Sequence, residues 1–354
     1  MRVLLLGELS GFHQELKPGL ERAGVEVVAA HSRLAYPDFP SDVGFYRPPA
    51  KMASGWTRLR DVGSQVWHAS ELTGFDIVQI VTPKFFDWRL HGSMLRYLKR
   101  NNGALVAINL ACTSDYHRRV AQLRYSPCAD CKAFDLKSDA CIYDRDDEHA
   151  AENLTWDLAD RIVSTHFDYD WAMRDTRHSA KLVQIPLAVD THSHRPAPMP
   201  AGKVRIWYGE TRFGFKGGRF IREALDRMAG DSAVEVVQTH RLPFRDYLDL
   251  LDTVHVLIDQ ASFFGPGMSA LYGMARGKVV LTGAEPENDL FVGGTSPAIN
   301  IEPDADDIYR KLVRLINDPE LIRHLGAAAT RFVQEYHSSD VIGRRYAAMY
   351  NELR

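Results

Sequence analysis

"VHVLIDQASFFGPGMSALYGMARGKVVLTG", from Val254 to Gly283, carries the pattern that decides the fold. A short apolar run leads into a glycine-containing turn, a helix is expected to begin near Gly267, and a second apolar run follows. Continuous apolar runs of this length are typical of strands that are buried on both faces of a parallel sheet. The stretch therefore predicts a strand–turn–helix–strand unit.

The same alternation of strands and helices occurs on both sides of a proline-rich stretch, "THSHRPAPMPAGK" (Thr191–Lys203). It predicts an α/β protein with two Rossmann-like, doubly wound domains that face each other across a cleft. We place the amino-terminal domain at 1–192 and the carboxy-terminal domain at 193–336. The last segment, 337–354, is expected to be a helix that can cross back to the first domain.

The composition is that of a globular protein with room for two domains of ordinary size. The chain has 354 residues, of which 45% are hydrophobic and 25% are charged, with a formal charge of −3. This charge argues against a general nucleic-acid binder. No apolar run reaches the roughly 20 residues of a membrane span, and "MRVLLLGELSG" is too short an apolar stretch for a signal peptide. We expect a cytoplasmic protein; peripheral contact with the inner face of the membrane stays open, and no pattern indicates an oligomeric state.

Three segments resemble motifs of GT-B glycosyltransferases, especially of glycosyltransferase family 4, in the same order and spacing. They are "KLVQIPLAVDTHSHRP", similar to V-I-P-N-G-V-D followed by F-x-P; "WYGETRFGFKGGRFIREAL", similar to G-R-x-x-x-K-G; and "LYGMARGKVVLTG", similar to E-A-M-A-x-G-x-P-V-V. The resemblance implies transfer of a sugar from a nucleotide-diphosphate donor to a hydroxyl of a glycan, lipid-linked or protein acceptor. It also implies retention of the anomeric configuration, no catalytic metal, and a setting such as bacterial surface polysaccharide or glycoconjugate assembly.

Arg212 and Lys216 are the first candidates for catalysis and for binding of the diphosphate. When a nucleotide diphosphate leaves, negative charge grows on the leaving oxygen, so positive groups aimed at that oxygen lower the barrier. The two residues stand four apart, beside a strand end, and match the family's phosphate-binding Arg and Lys. Arg can hold two oxygens in its fork, whereas Lys acts as a point charge. The alternative is an ordinary basic helix start with both side chains in solvent.

The glycine-containing turn supplies a second candidate binding element. Gly265 and Gly267 let the backbone approach a ligand closely. The N–H groups at the start of the following helix, including those of Met268 and Ser269, can bind phosphate without a charged side chain. The hydroxyl of Ser269 can add a further hydrogen bond. The alternative is a turn whose glycines only allow the helix to pack on the strand.

Two carboxylates that the resemblance implies are replaced in this sequence. The family has two glutamates eight residues apart around this turn, where Phe264 and Tyr272 stand here. Tyr272 can still hydrogen-bond a ribose hydroxyl, whereas Phe264 can only pack or stack. The nearest acidic replacements are Glu285 and Glu287, which could equally be loop charges. We therefore expect an altered site that still works.

The amino-terminal domain has candidates after two of its predicted strands. Gly11 in "GELSGFH" would let the backbone approach the donor, and His13 would act as acid, base or hydrogen-bond partner. Asp115 and His117 in "ACTSDYH" follow another strand end, where open α/β sheets bind ligands. Same-face attack with retention needs no general base, because the leaving phosphate takes the proton. An inverting enzyme would need one, and Asp115 or His13 would then be the first choices.

Four cysteines raise the possibility of a structural zinc site in an insertion at about 112–149. Cys128, Cys131 and Cys141 have C-x2-C-x9-C spacing, and a C-x2-C pair is a usual half of a tetrahedral zinc site. The remaining ligand would be one of three nearby residues, namely Cys112, His117 or His149. The alternative is free thiols, since the spacing fits no common zinc finger.

Two other functions stay open beside glycosyl transfer. A catalytically degenerate GT-B protein would bind a sugar nucleotide or serve as a scaffold subunit, and the replaced glutamates favour it. A nucleotide-sugar epimerase can share the architecture, but it would need acid–base carboxylates close to the sugar. The intact pair of Arg212 and Lys216 favours the transferase.

Overall fold

The computed structural model of the protein describes residues 1–32, 39–45, 54–136 and 141–354. Residues 137–140, a part of the insertion predicted at about 112–149, lie outside the described residues. The chain divides into two compact units. The first unit contains Met1–Tyr116, Tyr143–Asp190 and Ser339–Arg354, and the second contains His117–Ile142 and Thr191–Ser338.

The first unit is built on a parallel sheet of seven strands. The strands are β1 (Arg2–Leu6), β2 (Glu26–Ser32), β3 (Val43–Phe45), β4 (Ile77–Ile80), β5 (Ala104–Asn109), β6 (Arg161–Ser164) and β7 (Leu182–Gln184). Their spatial order is β3-β2-β1-β4-β5-β6-β7, with Val3 aligned to Val27 on one side and to Ile77 on the other. The chain thus reverses its direction of travel between β1 and β4, as in doubly wound folds.

The second unit contains a parallel sheet of five strands. They are β8 (Val204–Gly209), β9 (Val234–Thr239), β10 (Val256–Ile258), β11 (Val279–Thr282) and β12 (Ile299–Asn300). The spatial order is β12-β11-β10-β8-β9, so the reversal here falls between β8 and β10. The strand–turn–helix–strand unit predicted at 254–283 is confirmed, since β10 and β11 are adjacent parallel strands. The predicted class, α/β with doubly wound parallel sheets, is confirmed for both units.

Both units contain α-helices, which are numbered in chain order. The first seven are α1 (Phe12–Arg22), α2 (Gly55–Trp67), α3 (His91–Asn101), α4 (Ser114–Arg119), α5 (Cys128–Asp130), α6 (Asp146–Leu158) and α7 (Phe167–Met173). The others are α8 (Gly218–Asp226), α9 (Phe244–Asp252), α10 (Met268–Ala275), α11 (Pro286–Val292), α12 (Ala305–Ile316), α13 (Pro319–Phe332) and α14 (Ser339–Glu352). Within the described residues, no helix combines the length and the apolar character that a membrane crossing requires.

The strand interiors form the cores because their side chains are apolar on both faces. In the first unit, Leu4, Ile80 and Leu105 belong to one buried cluster. In the second unit, Ile206 and Leu281 are buried in a cluster that also includes side chains of α8 and α12. Burying both faces of a sheet in this way requires helices on both sides, which is why the strands read as continuous apolar runs.

The unit boundaries differ from the predicted domain boundaries in one respect. The sequence pattern placed the cysteine-containing insertion in the amino-terminal domain, whereas residues 117–142 group with the second unit. The reason is a set of polar contacts with distant parts of the second unit, such as the one between Asp135 and Gly214. The end of the chain lies in the first unit, where α14 packs on α1.

Close backbone approach fixes the packing of α14 on α1. A Cβ atom on Gly343 would lie 2.6 Å from the carbonyl oxygen of Gly19. The start of α14 is also held by the Arg22 guanidinium, which donates to Asp190 at 2.8 Å and to the hydroxyl of Ser339 at 2.7 Å. The last helix therefore belongs structurally to the first unit.

We expect Gly343→Ala to destabilise the first unit, since the added methyl group would overlap backbone atoms that cannot rotate away. The expected loss in the free energy of unfolding is roughly 1–3 kcal/mol, as is usual for overpacking. Urea unfolding measures it. Gly63→Ala in α2 is the matched control, because no atom lies within 4 Å of the added Cβ, and a helix interior gains up to roughly 1 kcal/mol from this change. Equal effects of the two substitutions would contradict the packing argument.

Candidate functional site

The carboxyl ends of β8 and β10 lie side by side at the reversal point of the second sheet. Residues 210–217, called the cation loop below, follow β8, and residues 259–267, the glycine turn, follow β10. A backbone hydrogen bond of 2.9 Å from Ala261 N–H to the carbonyl of Lys216 joins them. Open α/β sheets bind ligands in the crevice at such a reversal point. The second unit therefore has a candidate binding site here.

Lys216 is held by a buried carboxylate. Its Nζ lies 2.5 Å from Oδ1 of Asp259, whose side chain is fully buried. The other oxygen, Oδ2, accepts a hydrogen bond of 3.2 Å from Gly267 N–H. A buried charge needs a partner of opposite charge, and Lys216 provides it while its own side chain stays 17% exposed. The carboxylate thus joins the cation loop to the end of the glycine turn.

Arg212 occupies a different environment on the same loop. It is exposed, and its guanidinium carbon lies 3.4 Å from the centre of the Phe215 ring. One guanidinium nitrogen is 3.9 Å from the sulfur of Cys131. Stacking on an aromatic face keeps a guanidinium ordered while its charge remains available. Arg212 and Lys216, predicted as a pair, are therefore on one loop, with one free of carboxylate contacts in the described chain and one neutralised.

The glycine turn ends at the start of α10, as predicted. Gly267 is the N-cap of this helix, in an extended conformation. Gly265 is required for packing, because a Cβ there would collide with the side chain of Asn288. Met268 is buried, and the hydroxyl of Ser269 lies 2.8 Å from that of Tyr247. Ser269 is thus tied to α9 in this conformation.

Phe264 and Tyr272, which stand where the resemblance implies glutamates, both pack against aromatic rings. Phe264 is buried, with its ring 5.0 Å from that of Tyr125 and 4.8 Å from the guanidinium carbon of Arg124. Tyr272 is buried too, with its ring 4.8 Å from that of His194 and 5.4 Å from that of Phe244. The site is therefore walled with aromatic rings where the resemblance implies carboxylates.

Glu285, the predicted acidic replacement, is engaged by three partners within the second unit. It accepts hydrogen bonds from Arg124 at 2.8 Å, from the hydroxyl of Tyr125 at 2.5 Å and from Asn300 at 2.7 Å. Glu287 lies 2.5 Å from the same arginine. Glu285 in this conformation anchors residues 124 and 125 through both of its oxygens, and its predicted role toward a ribose hydroxyl stays a prediction.

The turn after β1 in the first unit shows a structural role for His13. Gly11 adopts a left-handed conformation, φ 86°, and is the N-cap of α1. His13 is buried, with Nδ1 2.7 Å from the carbonyl of Gly7 and Nε2 3.0 Å from the side-chain nitrogen of Gln79. Burial lowers its pKa to about 3. Both ring nitrogens are engaged and the neutral ring is favoured, an arrangement suited to a structural hydrogen-bonding role; an acid–base role for His13 stays a prediction.

Two carboxyl groups that the sequence patterns did not mark lie near the carboxyl ends of strands in the first unit. Burial raises the pKa of Glu8, in the turn after β1, to about 7, against the lowering effect of its hydrogen bond from Gln14 N–H. Burial likewise raises the pKa of Glu152 to about 7, and the charge of nearby Asp115 adds to the rise. Glu8 stands just after β1, so its position at a strand end could have identified it as a candidate. No local sequence pattern identifies Glu152.

Asp115 and His117, both predicted as catalytic candidates, lie in α4. Asp115 is half-buried, and its influence on Glu152 places it near the Ser114 N–H that donates to that carboxylate at 2.8 Å. His117 belongs to the second unit, where its Nδ1 lies 3.8 Å from the sulfur of Cys128. Their catalytic roles stay predictions.

The described residues show no grouping of ligands for the zinc site, one of the two alternatives that the sequence leaves open for the cysteines. In the part of the chain that the structure describes, no three His, Cys, Asp or Glu side chains are grouped so that they could hold a metal ion. Cys112, Cys128, Cys131 and Cys141 are all partly buried, and none of the four is in a disulfide bond. Cys131 lies beside the guanidinium of Arg212, on the cation loop. Burial raises the pKa of its thiol.

Comparisons with solved structures show the fold, although no protein-family model and no curated protein sequence matches the chain. The chain is similar to sucrose-phosphate synthase from Thermosynechococcus elongatus, with 15% identity and a TM-score of 0.63 over 100% of this chain and 99% of that one. It is similar to Anabaena HepE in complex with UDP-glucose, with 13% identity and a TM-score of 0.63 over 99% and 100%. A Listeria monocytogenes protein described as a putative UDP-N-acetylglucosamine 2-epimerase has 12% identity and a TM-score of 0.61 over 100% and 96%. The predicted GT-B fold is thereby confirmed; membership of glycosyltransferase family 4 stays a prediction.

We expect Glu152→Gln to change the pH dependence of stability. With a folded pKa near 7 and an unfolded value near 4.3, the wild type loses stability as the pH rises from about 4.5 through 7. Glutamine does not ionise, so the variant should gain roughly 1–3 kcal/mol relative to the wild type at pH 8.5 and almost nothing at pH 4.5.

Thermal unfolding at several pH values measures this difference. Glu352→Gln is the control, because it makes the same chemical change at an exposed position of α14 in the same unit. It is expected to leave the shape of the stability–pH curve as in the wild type. Parallel curves for Glu152→Gln and the wild type would show that the buried carboxyl ionises normally.

Proposed function

We propose that this protein is a glycosyltransferase that moves a sugar from a nucleotide-diphosphate donor to an acceptor hydroxyl. The observation that carries the proposal is the pairing of the cation loop with the glycine turn at the reversal point of the second sheet. Arg212 supplies a charge that no carboxylate of the described chain neutralises, and the start of α10 supplies backbone N–H groups. This combination is suited to a diphosphate.

The similar solved structures support a nucleotide-sugar donor. HepE was solved with UDP-glucose, and the Listeria protein is described as acting on a UDP-sugar. Both are less than 15% identical to this chain, so for this chain such a ligand is a proposal. We propose a nucleoside diphosphate sugar as donor, and a glycan, lipid-linked or protein hydroxyl as acceptor.

The proposed chemistry needs positive charge at the leaving oxygen more than it needs a general base. As the bond from the anomeric carbon to the diphosphate breaks, negative charge grows on the diphosphate, and Arg212 stabilises it. In a same-face attack the departing diphosphate takes the acceptor proton, so the configuration is retained. Lys216 acts mainly by fixing the loop geometry, because Asp259 already balances its charge. The charge on the departing group is thus met by the cation loop, without a metal.

Binding of nucleoside diphosphates tests the proposal. We expect one of UDP, GDP, CDP, ADP and dTDP to bind in calorimetry, and Arg212→Ala to weaken it by about 2 kcal/mol, since a charge-assisted contact is lost. Arg314→Ala, at an exposed position of α12, is the matched control and should bind like the wild type. Arg212→Ala is preferable to a substitution of Lys216, which would leave Asp259 buried without its cation.

Turnover separates the transferase from the alternatives. The nucleoside diphosphate that binds selects the nucleotide sugars to be tested as donors. We expect the sugar of one such donor to be transferred to an acceptor or slowly hydrolysed. In NMR, the anomer of the product that forms first should have the configuration of the donor. An epimerase would change the sugar without consuming an acceptor. A scaffold protein would bind the diphosphate without turnover, an outcome that Phe264 and the occupied Glu285 would then explain. Inversion would refute the same-face mechanism.

A further inference from the structure

Residues 124–135, called the docked segment below, lie on the cation loop within the second unit. Asp130 pairs with Arg219 at 2.7 Å, and the ring of Phe134 meets that of Phe213 edge-on at 5.2 Å. A Cβ on Gly214 would collide with the backbone carbonyl of Asp130. Only glycine at this position therefore allows the segment to approach so closely. The segment is fitted to the loop by charge, ring packing and shape.

The carboxylate of Asp135 accepts hydrogen bonds from the backbone of the cation loop. Oδ1 accepts a hydrogen bond of 2.9 Å from Gly214 N–H, and Oδ2 accepts one of 2.6 Å from Phe215 N–H. Successive N–H groups that converge on one point form an anion-binding concavity. An acidic side chain with one oxygen on each N–H is thus bound in the way that such concavities bind phosphate. The backbone N–H groups of the cation loop that are arranged to bind an anion are therefore already hydrogen-bonded to Asp135.

Arg212 is engaged by the same segment. Its guanidinium approaches Cys131, four residues before Asp135 in the chain. At the other end of the segment, Arg124 and Tyr125 hold Glu285 and cover the ring of Phe264 in the glycine turn. The docked segment therefore contacts both elements of the proposed diphosphate site.

We propose that the docked segment is an internal inhibitor of the donor site, in which Asp135 takes the place of a phosphate group. This inference rests on the proposed function, since it concerns the same diphosphate site. A nucleoside diphosphate binds by displacing Asp135 from Gly214 and Phe215, and the segment then leaves the cation loop. The protein as described is the closed form, and donor binding opens it.

Removing the competing charge tests the proposal. We expect Asp135→Asn to bind the preferred nucleoside diphosphate about tenfold more tightly than the wild type in calorimetry, because the ligand no longer competes with a charge-assisted contact. Inorganic pyrophosphate, measured in parallel, should show the same gain, since the competition concerns the phosphates and not the base. Asp226→Asn, which removes one charge from an exposed position of α8, is the matched control and should change neither affinity.

Hydrogen–deuterium exchange on the unmodified protein gives an independent readout. At saturating nucleoside diphosphate, amides of residues 124–135 should exchange faster, whereas those of Gly214 and Phe215 should stay protected by the ligand. Equal or weaker binding by Asp135→Asn, or unchanged exchange in the docked segment with bound ligand, would overturn the inhibitor while leaving the diphosphate site intact. If neither the wild type nor Asp135→Asn binds any diphosphate or pyrophosphate, the proposed function fails, and the inhibitor with it.

Discussion

The ion pair between Lys216 and Asp259 is the constraint on which the candidate site depends. A fully buried carboxylate is costly unless a cation and hydrogen-bond donors compensate it, and here Lys216 and Gly267 N–H do so. Removing one partner of such a pair typically costs roughly 3–5 kcal/mol. The pair also fixes geometry, because its members come from the cation loop and from the glycine turn. The cation loop and the glycine turn are therefore held to each other by contacts within the chain.

Because of this ion pair, Lys216 and Arg212 have different electrostatic environments, although the sequence motif presents them as equivalent cations. Lys216 is bound to a carboxylate at 2.5 Å, so the pair as a whole contributes little net charge to a ligand. Arg212 stacks on Phe215 and approaches the thiol of Cys131, and no carboxylate among the described residues pairs with it. In the proposed donor site, the attraction for a diphosphate would come mainly from Arg212 and from backbone N–H groups. Such a site has less net positive charge than a site with two unpaired cations would have. Its affinity for an anion therefore depends more on the backbone geometry of the cation loop.

The sequence predicts well what is decided locally. The apolar run that begins at Val254 predicts a strand, and the glycines at 265 and 267 predict the turn, because burial on both faces and close backbone approach restrict the residue types allowed. The role of His13 could not be predicted, since it depends on Gln79, which lies 66 residues away in the chain. The docking of Asp135 on Gly214 spans 79 residues and leaves no periodic signal. Nonlocal polar contacts of this kind could not be predicted from the sequence.

The occupied cation loop bears on whether the altered site is a remnant. A loop that had lost its anion-binding geometry would not direct two adjacent N–H groups at the two oxygens of one carboxylate, as Gly214 and Phe215 do. The arrangement is present although Phe264 and Tyr272 stand where the resemblance implies glutamates. With uncharged side chains at these two positions, the surroundings of the glycine turn disfavour a bound anion less than two glutamates would. In the proposed donor site, aromatic rings would contact the sugar or ribose, while the backbone N–H groups of the cation loop are covered by an acid of the chain itself.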